Sequence, residues 1–293
     1  RSAIEVRKFK SIMIIDNLIL QGIKSLKNNK ILNSKLDAEL LLSSVIKKDR
    51  LFFALNGKNK INKKDSLKYL KLVDRRKKNE PIAYILKKKE FWRSSFFVNK
   101  DVLIPRPDTE VLLEDIRKRF KYKSQLNILD IGTGSGCILL SILKEFANFK
   151  GTGIDRSQKA INIAKYNSIS LKNCERVKFI HSNIDNYKFG NYDIVVSNPP
   201  YIKSYKIKYL SEDIKRYEPR IALDGGITGL NIIKKIIKKA KKILKLGGYL
   251  YLEIAEDQLI NVKNILLLSN FRIVKVLIDY GNNTRCIIST NLK

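Results

Sequence analysis

The stretch LNILDIGTGSG, Leu126 to Gly136, decides the fold. An apolar, β-branched run ends in an acid, glycines follow at 132, 134 and 136, and the apolar segment GCILLSILKEF starts at the last of them. Such a pattern reads as a strand, a tight loop and a helix. Further on, GTGID, SQKAINIAKYNS, VKFIHS and YDIVVSNPP continue the alternation of strand and helix. Alternation of this kind predicts an α/β domain with a parallel sheet covered by helices on both faces. A helix around Leu230 to Leu244, the strand GGYLYLEIA and a helix around Gln258 to Leu268 follow. The strands FRIVKVLID and TRCIIST come last, separated by YGNN, a hairpin turn signal. The expected architecture is a doubly wound, seven-stranded sheet whose final strand runs antiparallel.

The loop DIGTGSG lies where doubly wound sheets bind cofactors, at the carboxyl end of a strand and the start of a helix. Its glycines let the backbone turn sharply and approach a ligand closely. A dinucleotide fingerprint needs a glycine at position 137, which is Cys137. An acid followed by alternating glycines instead fits S-adenosylmethionine, which has no pyrophosphate to bind. Asp155 ends the next strand, where a carboxylate can accept both ribose hydroxyls of an adenosine. Loop and acid together predict the class I S-adenosylmethionine-dependent methyltransferase fold. Fold alone does not fix the function.

VSNPPYI, Val196 to Ile202, supplies the chemistry. Its strand is expected beside the first, so that Asn198 projects into the crevice that holds the glycine loop. The Asn198 side-chain carbonyl and the Pro199 backbone carbonyl are two acceptors for one NH₂ group. Pro199 and Pro200 fix φ and hold those acceptors extended, and Tyr201 can lie flat on a planar group. An NH₂ on a carbonyl or aromatic ring is a poor nucleophile because its lone pair is delocalised. Holding both N–H bonds favours pyramidalisation and aims the lone pair at a methyl donor, with no metal and no strong base.

The chain before the sheet differs in kind. From about Ile12 to Lys78 the period is helical. LDAELLLSSVI places Leu36, Leu40, Leu41 and Val45 on one face, and DSLKYLKLVDRRK does the same with Leu67, Leu70 and Val73, capped by Asp65 or Ser66. PIAYIL and EFWRSSFFV, around a KKK turn, read as a hairpin. Pro105 and Pro107 then impose an extended passage before a helix near Asp108 or Thr109. The expected division is a helical domain over 1–80, a β-hairpin and linker over 81–115, and a methyltransferase domain over 116–293.

Lys and Arg number 59 against 28 Asp and Glu, a net charge of +31, which points to nucleic acid or an acidic partner. The excess is mostly lysine, spread over nearly every segment beside abundant Ile and Asn, as an AT-rich genome would produce. Charge alone therefore does not choose the partner. Lys234, Lys235 and Lys238 to Lys242 fall opposite Ile233, Ile236, Ile237 and Leu244 and read as a solvated helix face. Cys137, Cys174 and Cys286 form no CxxC pair and His181 is the only histidine, which leaves no His-based triad and argues against zinc. A reducing, cytoplasmic setting is the default expectation. No apolar run approaches a membrane span, and Asp16 and Asn17 interrupt IMIIDNLIL, so the basic start, Arg1 to Lys10, does not read as a signal peptide.

These segments together resemble the protein-(glutamine-N5) methyltransferases of peptide chain release factors, the HemK/PrmC family. The likeness rests on DAELLL, RRKKNEPIAYIL, EFW, LIPRPDTE, LDIGTGSG, SNPPY, RYEPRIALDGG, GGYLYLEI and DYGNNTR. It implies methylation of the glutamine amide in a release factor's Gly-Gly-Gln loop. It also implies that Gly132, Thr133, Gly134, Ser135, Gly136 and Asp155 hold S-adenosylmethionine. Asn198, Pro199, Pro200 and Tyr201 would hold the glutamine amide, and the helical domain would grip the release factor. Asn183, in SNID, stands where the family usually has an acid near the adenine. Its carbonyl can still accept from the adenine amino group, so binding is expected to be retained but weaker, with Ile184 packed on the ring. Arg106 and Asp108 are expected to brace the linker by an ion pair, and Glu218 and Arg220 to order the loop after Tyr201. Phe91 and Trp92 are expected in the core. A monomer that needs neither metal nor nucleic acid is implied. Two other readings remain open from the residues: a nucleic-acid amino-methyltransferase acting on adenine or guanine, which NPPY and the charge both permit, and a basic RNA-binding protein with a vestigial fold.

Overall fold

The structure, a computed structural model, describes residues 13–292. The basic start and Ile12, where the helical period was read to begin, lie outside the described residues, as does the reading of Arg1 to Lys10. The chain divides after Leu86 into two compact units.

The first unit holds β1 (Met13–Ile14), α1 (Ile15–Asn28), α2 (Ser34–Ile46), α3 (Arg50–Asn56), β2 (Lys60–Ile61), α4 (Lys63–Lys77) and α5 (Ile82–Leu86). Its core gathers Leu18, Leu26, Ala38, Leu41, Leu42 and Tyr69, all fully buried. Both helix faces are rotated from those the leucine spacing predicts. Leu36 and Leu67 are each 39% exposed, while Asp37 and Tyr69 turn inward. Asp37 is tolerated there because Arg76 on α4 reaches it at 2.7 Å. Tyr69 fits because Gly22 leaves room: a Cβ at residue 22 would sit 1.9 Å from its hydroxyl. The cap of α4 is Asn62, whose side chain accepts the Asp65 N–H at 2.8 Å, rather than Asp65 or Ser66.

PIAYIL is a further correction. It forms α5, not a strand, with the Tyr84 and Ile85 N–H groups donating to the Pro81 carbonyl. Proline suits a helix start because its missing N–H would have had no partner there. The hairpin is the shorter pair β3 (Lys89–Phe91) and β4 (Ser94–Phe96), in the second unit, turning at Trp92 and Arg93 instead of at the lysines.

An extended passage follows, then a 3-10 turn at Pro107–Thr109 and α6 (Glu110–Arg119). The remaining elements are β5 (Asn127–Ile131), α7 (Cys137–Glu145), β6 (Lys150–Asp155), α8 (Gln158–Ser170), β7 (Val177–His181), β8 (Tyr192–Ser197), α9 (Glu212–Tyr217), α10 (Asn231–Ile243), β9 (Leu244–Glu253), α11 (Leu259–Leu268), β10 (Phe271–Ile278) and β11 (Thr284–Asn291). Among the described residues the strands form a seven-stranded sheet in the order β10-β11-β9-β8-β5-β6-β7. β11 is antiparallel to both of its neighbours, and the other pairings are parallel.

Alternate residues of the central strands serve opposite faces. Ile128, Ile194, Val196 and Tyr251 pack with Leu112, Leu139, Leu140 and Ala164 of α6, α7 and α8. Leu129, Val195, Leu250 and Leu252 pack with Ile233, Ile236 and Ile237 of α10 and Val262 and Leu266 of α11. The lysines of α10 lie opposite this face, though Lys235 reaches Asp185 at 2.5 Å.

β5 is the switch point. It pairs with β6 on one side and with β8 on the other, in the register Leu129↔Val195 and Asp130↔Val196. The loop after β5 and the segment after β8 therefore leave the sheet side by side, which is where open α/β sheets form their binding crevice.

Candidate active site

The backbone at Gly132, Gly134 and Gly136 has φ of 77°, 54° and 81°, the left-handed region that disfavours side chains. The N–H groups of Gly132 and Thr133 both donate to the Ile154 carbonyl, at 2.8 and 3.0 Å, which ties the loop to β6. A Cβ on Gly132 or Gly134 would meet nothing within 4 Å, so both glycines border open space. Gly136 instead permits a close approach, since a Cβ there would lie 3.0 Å from Leu140 Cδ1 and 3.3 Å from the Ala164 Cβ. It lets α7 begin directly under the loop.

Two acids end β5 and β6. Asp155 Oδ2 accepts the Gly134 N–H at 3.0 Å and its Oδ1 accepts the Ser157 N–H at 2.9 Å. Burial nevertheless raises its pKa. Asp130 is 1% exposed; its Oδ2 accepts the Thr133 hydroxyl at 2.7 Å while Oδ1 has no partner. Burial, with the Asp155 charge adding to it, pushes the Asp130 carboxyl up to about 7. The buried Ser135 hydroxyl also lacks a partner.

One cavity joins these groups to the segment after β8. Gly132, Thr133, Gly134, Ser135, Asp155, Asn183, Ile184, Asn198, Pro199 and Pro200 all line it. Gly136 and Tyr201 do not, the first lying beneath the loop and the second in an adjoining smaller cavity with Leu103, Arg106, Ile202 and Leu223. Asn198 and Pro199 border both cavities. Asn183 lines the cavity, and its side-chain Oδ1 accepts the Asp185 N–H at 3.2 Å, so the side chain also caps its own turn.

Beneath Asn198 runs a chain of hydrogen bonds. Asn198 Nδ2 donates to Thr109 Oγ1 at 3.3 Å, and that hydroxyl donates to Glu253 Oε2 at 2.7 Å. The Tyr201 hydroxyl donates to Glu253 Oε1 at 3.2 Å. Thr109 and Glu253 are each 2% exposed. Burial pushes the Glu253 carboxyl up to about 7 against the opposing pull of Thr109 and Arg285.

The segment after Tyr201 folds back on the linker. Arg106 pairs with Glu218 at 2.5 Å, and Glu218 also accepts the Ile104 N–H at 3.2 Å. Arg106 and Asp108 are not each other's partners: Asp108 pairs with Arg285 at 3.4 Å. Arg220 pairs with Asp224 at 3.2 Å. Phe91 is buried, and Trp92 is held by Glu110 and Glu145 at 2.8 Å each.

Comparison with known proteins shows the family of the chain. Residues 17–86 match the family model of the PrmC N-terminal domain, and residues 106–214 match that of the methyltransferase small domain. The release factor glutamine methyltransferase of Clostridium botulinum is 38% identical over 278 residues, covering 94% of this chain and 98% of that one. That of Fusobacterium nucleatum is 40% identical over 277 residues, covering 92% of this chain and 77% of that one. The chain belongs to the release factor glutamine methyltransferase family. A methyltransferase structure from Pyrococcus furiosus, 20% identical, has the same fold, with a TM-score of 0.51 over 68% of this chain and 89% of that one.

The cavity fits the family's methyl donor. Open space over Gly132 and Gly134 leaves room for a ligand, and Ser135, which lines the cavity, has a hydroxyl without a partner in the protein. Sequence reasoning missed three residues that support this candidate site. Thr109 and Glu253 lie 144 positions apart and meet only through the sheet. Asn167 on α8 donates to the Ser135 carbonyl at 2.8 Å and accepts the Phe97 N–H at 2.8 Å. A buried asparagine inside an amphipathic helix was the available signal.

Proposed function

We propose that this protein transfers a methyl group from S-adenosylmethionine to the side-chain amide nitrogen, N5, of the glutamine in the Gly-Gly-Gln motif of peptide chain release factors. The observation that carries this reading is the placement of Asn198 and Pro199 in one cavity with the glycine loop and Asp155. Family membership supports the choice of a protein glutamine over a nucleic-acid base.

Bound against the loop, S-adenosylmethionine supplies a methyl group on a sulfonium, already a good electrophile. Gly132 to Gly136 and Asp155 position the donor, with Asn183 and Ile184 at the adenine. The Asn198 side-chain oxygen and the Pro199 carbonyl accept hydrogen bonds from the two N–H groups of the substrate amide and stabilise the pyramidal nitrogen, which releases one of those two protons to water once it carries the methyl. Pro199 and Pro200 stiffen the clamp, and Tyr201 borders the cavity that adjoins it. The first unit, to Leu86, serves as the grip on the release factor, the hairpin over residues 89–96 and the extended passage after it as the linker, and the rest of the second unit as the catalytic domain. The protein acts as a cytoplasmic monomer without metal or nucleic acid.

The test is incubation of the purified protein with methyl-labelled S-adenosylmethionine and, in parallel, a release factor, DNA and ribosomal RNA. Label is expected on the release factor alone, in the Gly-Gly-Gln peptide. Label on nucleic acid with the release factor untouched overturns the proposal in favour of an amino-methyltransferase of bases.

A further inference from the structure

A carboxamide has an acceptor oxygen and a donor nitrogen of nearly equal size, and only one orientation of Asn198 serves as a clamp for an NH₂ group. If the nitrogen faced the substrate amide, donor would meet donor. Something must therefore set which way the side chain points. The chain of bonds beneath it does so by elimination. An ionised carboxylate can only accept, so the Thr109 hydroxyl spends its single hydrogen on Glu253, at 2.7 Å. Toward Asn198, Thr109 Oγ1 can then only accept. The side-chain nitrogen turns to it, at 3.3 Å, and the oxygen takes the opposite branch of the planar group. Tyr201 donates to the other carboxylate oxygen, so both ends of Glu253 face hydroxyls and neither competes for Asn198.

From this arrangement we infer that Thr109 and Glu253 are positioning residues that fix the polarity of the Asn198 carboxamide, so that its oxygen faces the substrate. This rests on the reading of Asn198 as the amide clamp. Both are 2% exposed; Glu253 lines neither cavity, and Thr109, at the wall of the larger one, has its hydroxyl engaged with Glu253 and Asn198. Their effect runs through Asn198 and belongs to catalysis rather than to binding of the release factor. Burial makes the control strict, because a wrongly turned amide here would leave donors facing each other away from water.

The experiment is a double-mutant cycle at pH 8, with single-turnover rates on a release factor, calorimetric binding of S-adenosylmethionine, and a thermal melt of each variant. Thr109→Val keeps the side-chain shape and removes the hydroxyl; it is expected to lower the rate about tenfold, as for a lost orienting hydrogen bond. Thr109→Ser should restore the rate to within about threefold of the parent. Donor affinity and KM for the release factor should stay near parental values. In the Asn198→Ala background, Thr109→Val should cost nothing more, since there is no carboxamide left to orient. If the valine variant melts early, Thr109→Ala is put through the same comparison. A rate unchanged by loss of the hydroxyl, while Asn198→Ala is severely impaired, overturns the positioning role and leaves the clamp standing. An equal loss in both backgrounds overturns it too, making Thr109 a structural residue. Little loss in Asn198→Ala itself removes the clamp, and the inference with it.

Discussion

The Gly134 N–H donates to Asp155 Oδ2 at 3.0 Å, so the loop after β5 and the acid at the end of β6 act as one unit. Removing that carboxylate loosens the loop and deletes the acceptor proposed for the donor's ribose. Asp155→Ala is expected to weaken S-adenosylmethionine binding about 10- to 100-fold, the range for hydrogen bonds to a charged group. At saturating donor the rate should fall far less. Calorimetric titration checks this, and an unchanged Kd would place the ribose elsewhere.

Glu218 sits under the segment that follows Tyr201, and its side chain is 1% exposed while that of Arg106 is 33% exposed. Burial raises its pKa even though Arg106 lies beside it, so the cost of desolvation exceeds the attraction. Glu218→Ala takes away the acceptor of the Ile104 N–H and the partner of a partly exposed guanidinium that can turn to water, and is expected to destabilise the fold by about 1–2 kcal/mol. Amide exchange should rise over residues 204–222 first, because Glu218 ties that stretch to Ile104 and Arg106. Denaturant melts combined with hydrogen exchange test both parts. Uniform protection across that stretch in the variant would show that the tie is redundant.

The two acids pushed up to about 7 make the folded protein pH-sensitive. Asp130 and Glu253 have ordinary values of 3.8 and 4.5. With folded values raised, the native state binds more protons than the unfolded chain between those limits. Their contribution to stability is fully present below pH 3.8 and is lost as pH rises through 7. Melting temperature across pH 5 to 8 should thus show a decline that Asp130→Asn flattens. The rate should respond in the opposite sense near Glu253. A protonated Glu253 can donate to Thr109 and release Asn198 from its set orientation, so kcat should fall as pH drops below about 7. The groups facing Glu253 are Tyr201, Thr109, Asp108, Arg285 and the thiols of Cys137 and Cys286. Burial pushes the Cys137 thiol up to about 12 and Cys286 well above its ordinary range, so neither titrates in this window. A Glu253→Gln variant that kept the same acid limb would assign it to another group.

What the sequence made legible was the chemistry carried by contiguous residues. The glycine loop and Asn198 to Tyr201 are local patterns whose backbone demands, φ above zero or a fixed extended passage, are written in residue type. The parallel sheet, the place of β8 beside β5 and the antiparallel last strand followed from the alternation of elements and the closing hairpin signal. Failures arose where a distant partner decided the outcome. Asp37 is buried because Arg76 lies 39 positions on, which a count of leucines cannot register. Ile82 to Leu86 has the composition of a strand, but Pro81 starts a helix there and Ile85 joins the core of the first unit. The support under Asn198 is hidden for the same reason: in the sequence Thr109 reads as a helix start and Glu253 as one residue within the strand GGYLYLEIA.

The clamp itself is tested most directly by the single-turnover rate of Asn198→Ala on a release factor, at saturating S-adenosylmethionine, with binding of both substrates measured separately. The proposal predicts a rate lower by about 10²–10³, as for loss of one preorganised hydrogen bond to the transition state, with both affinities nearly unchanged. A loss below about tenfold would contradict it and reduce Asn198 to a residue that ends a strand.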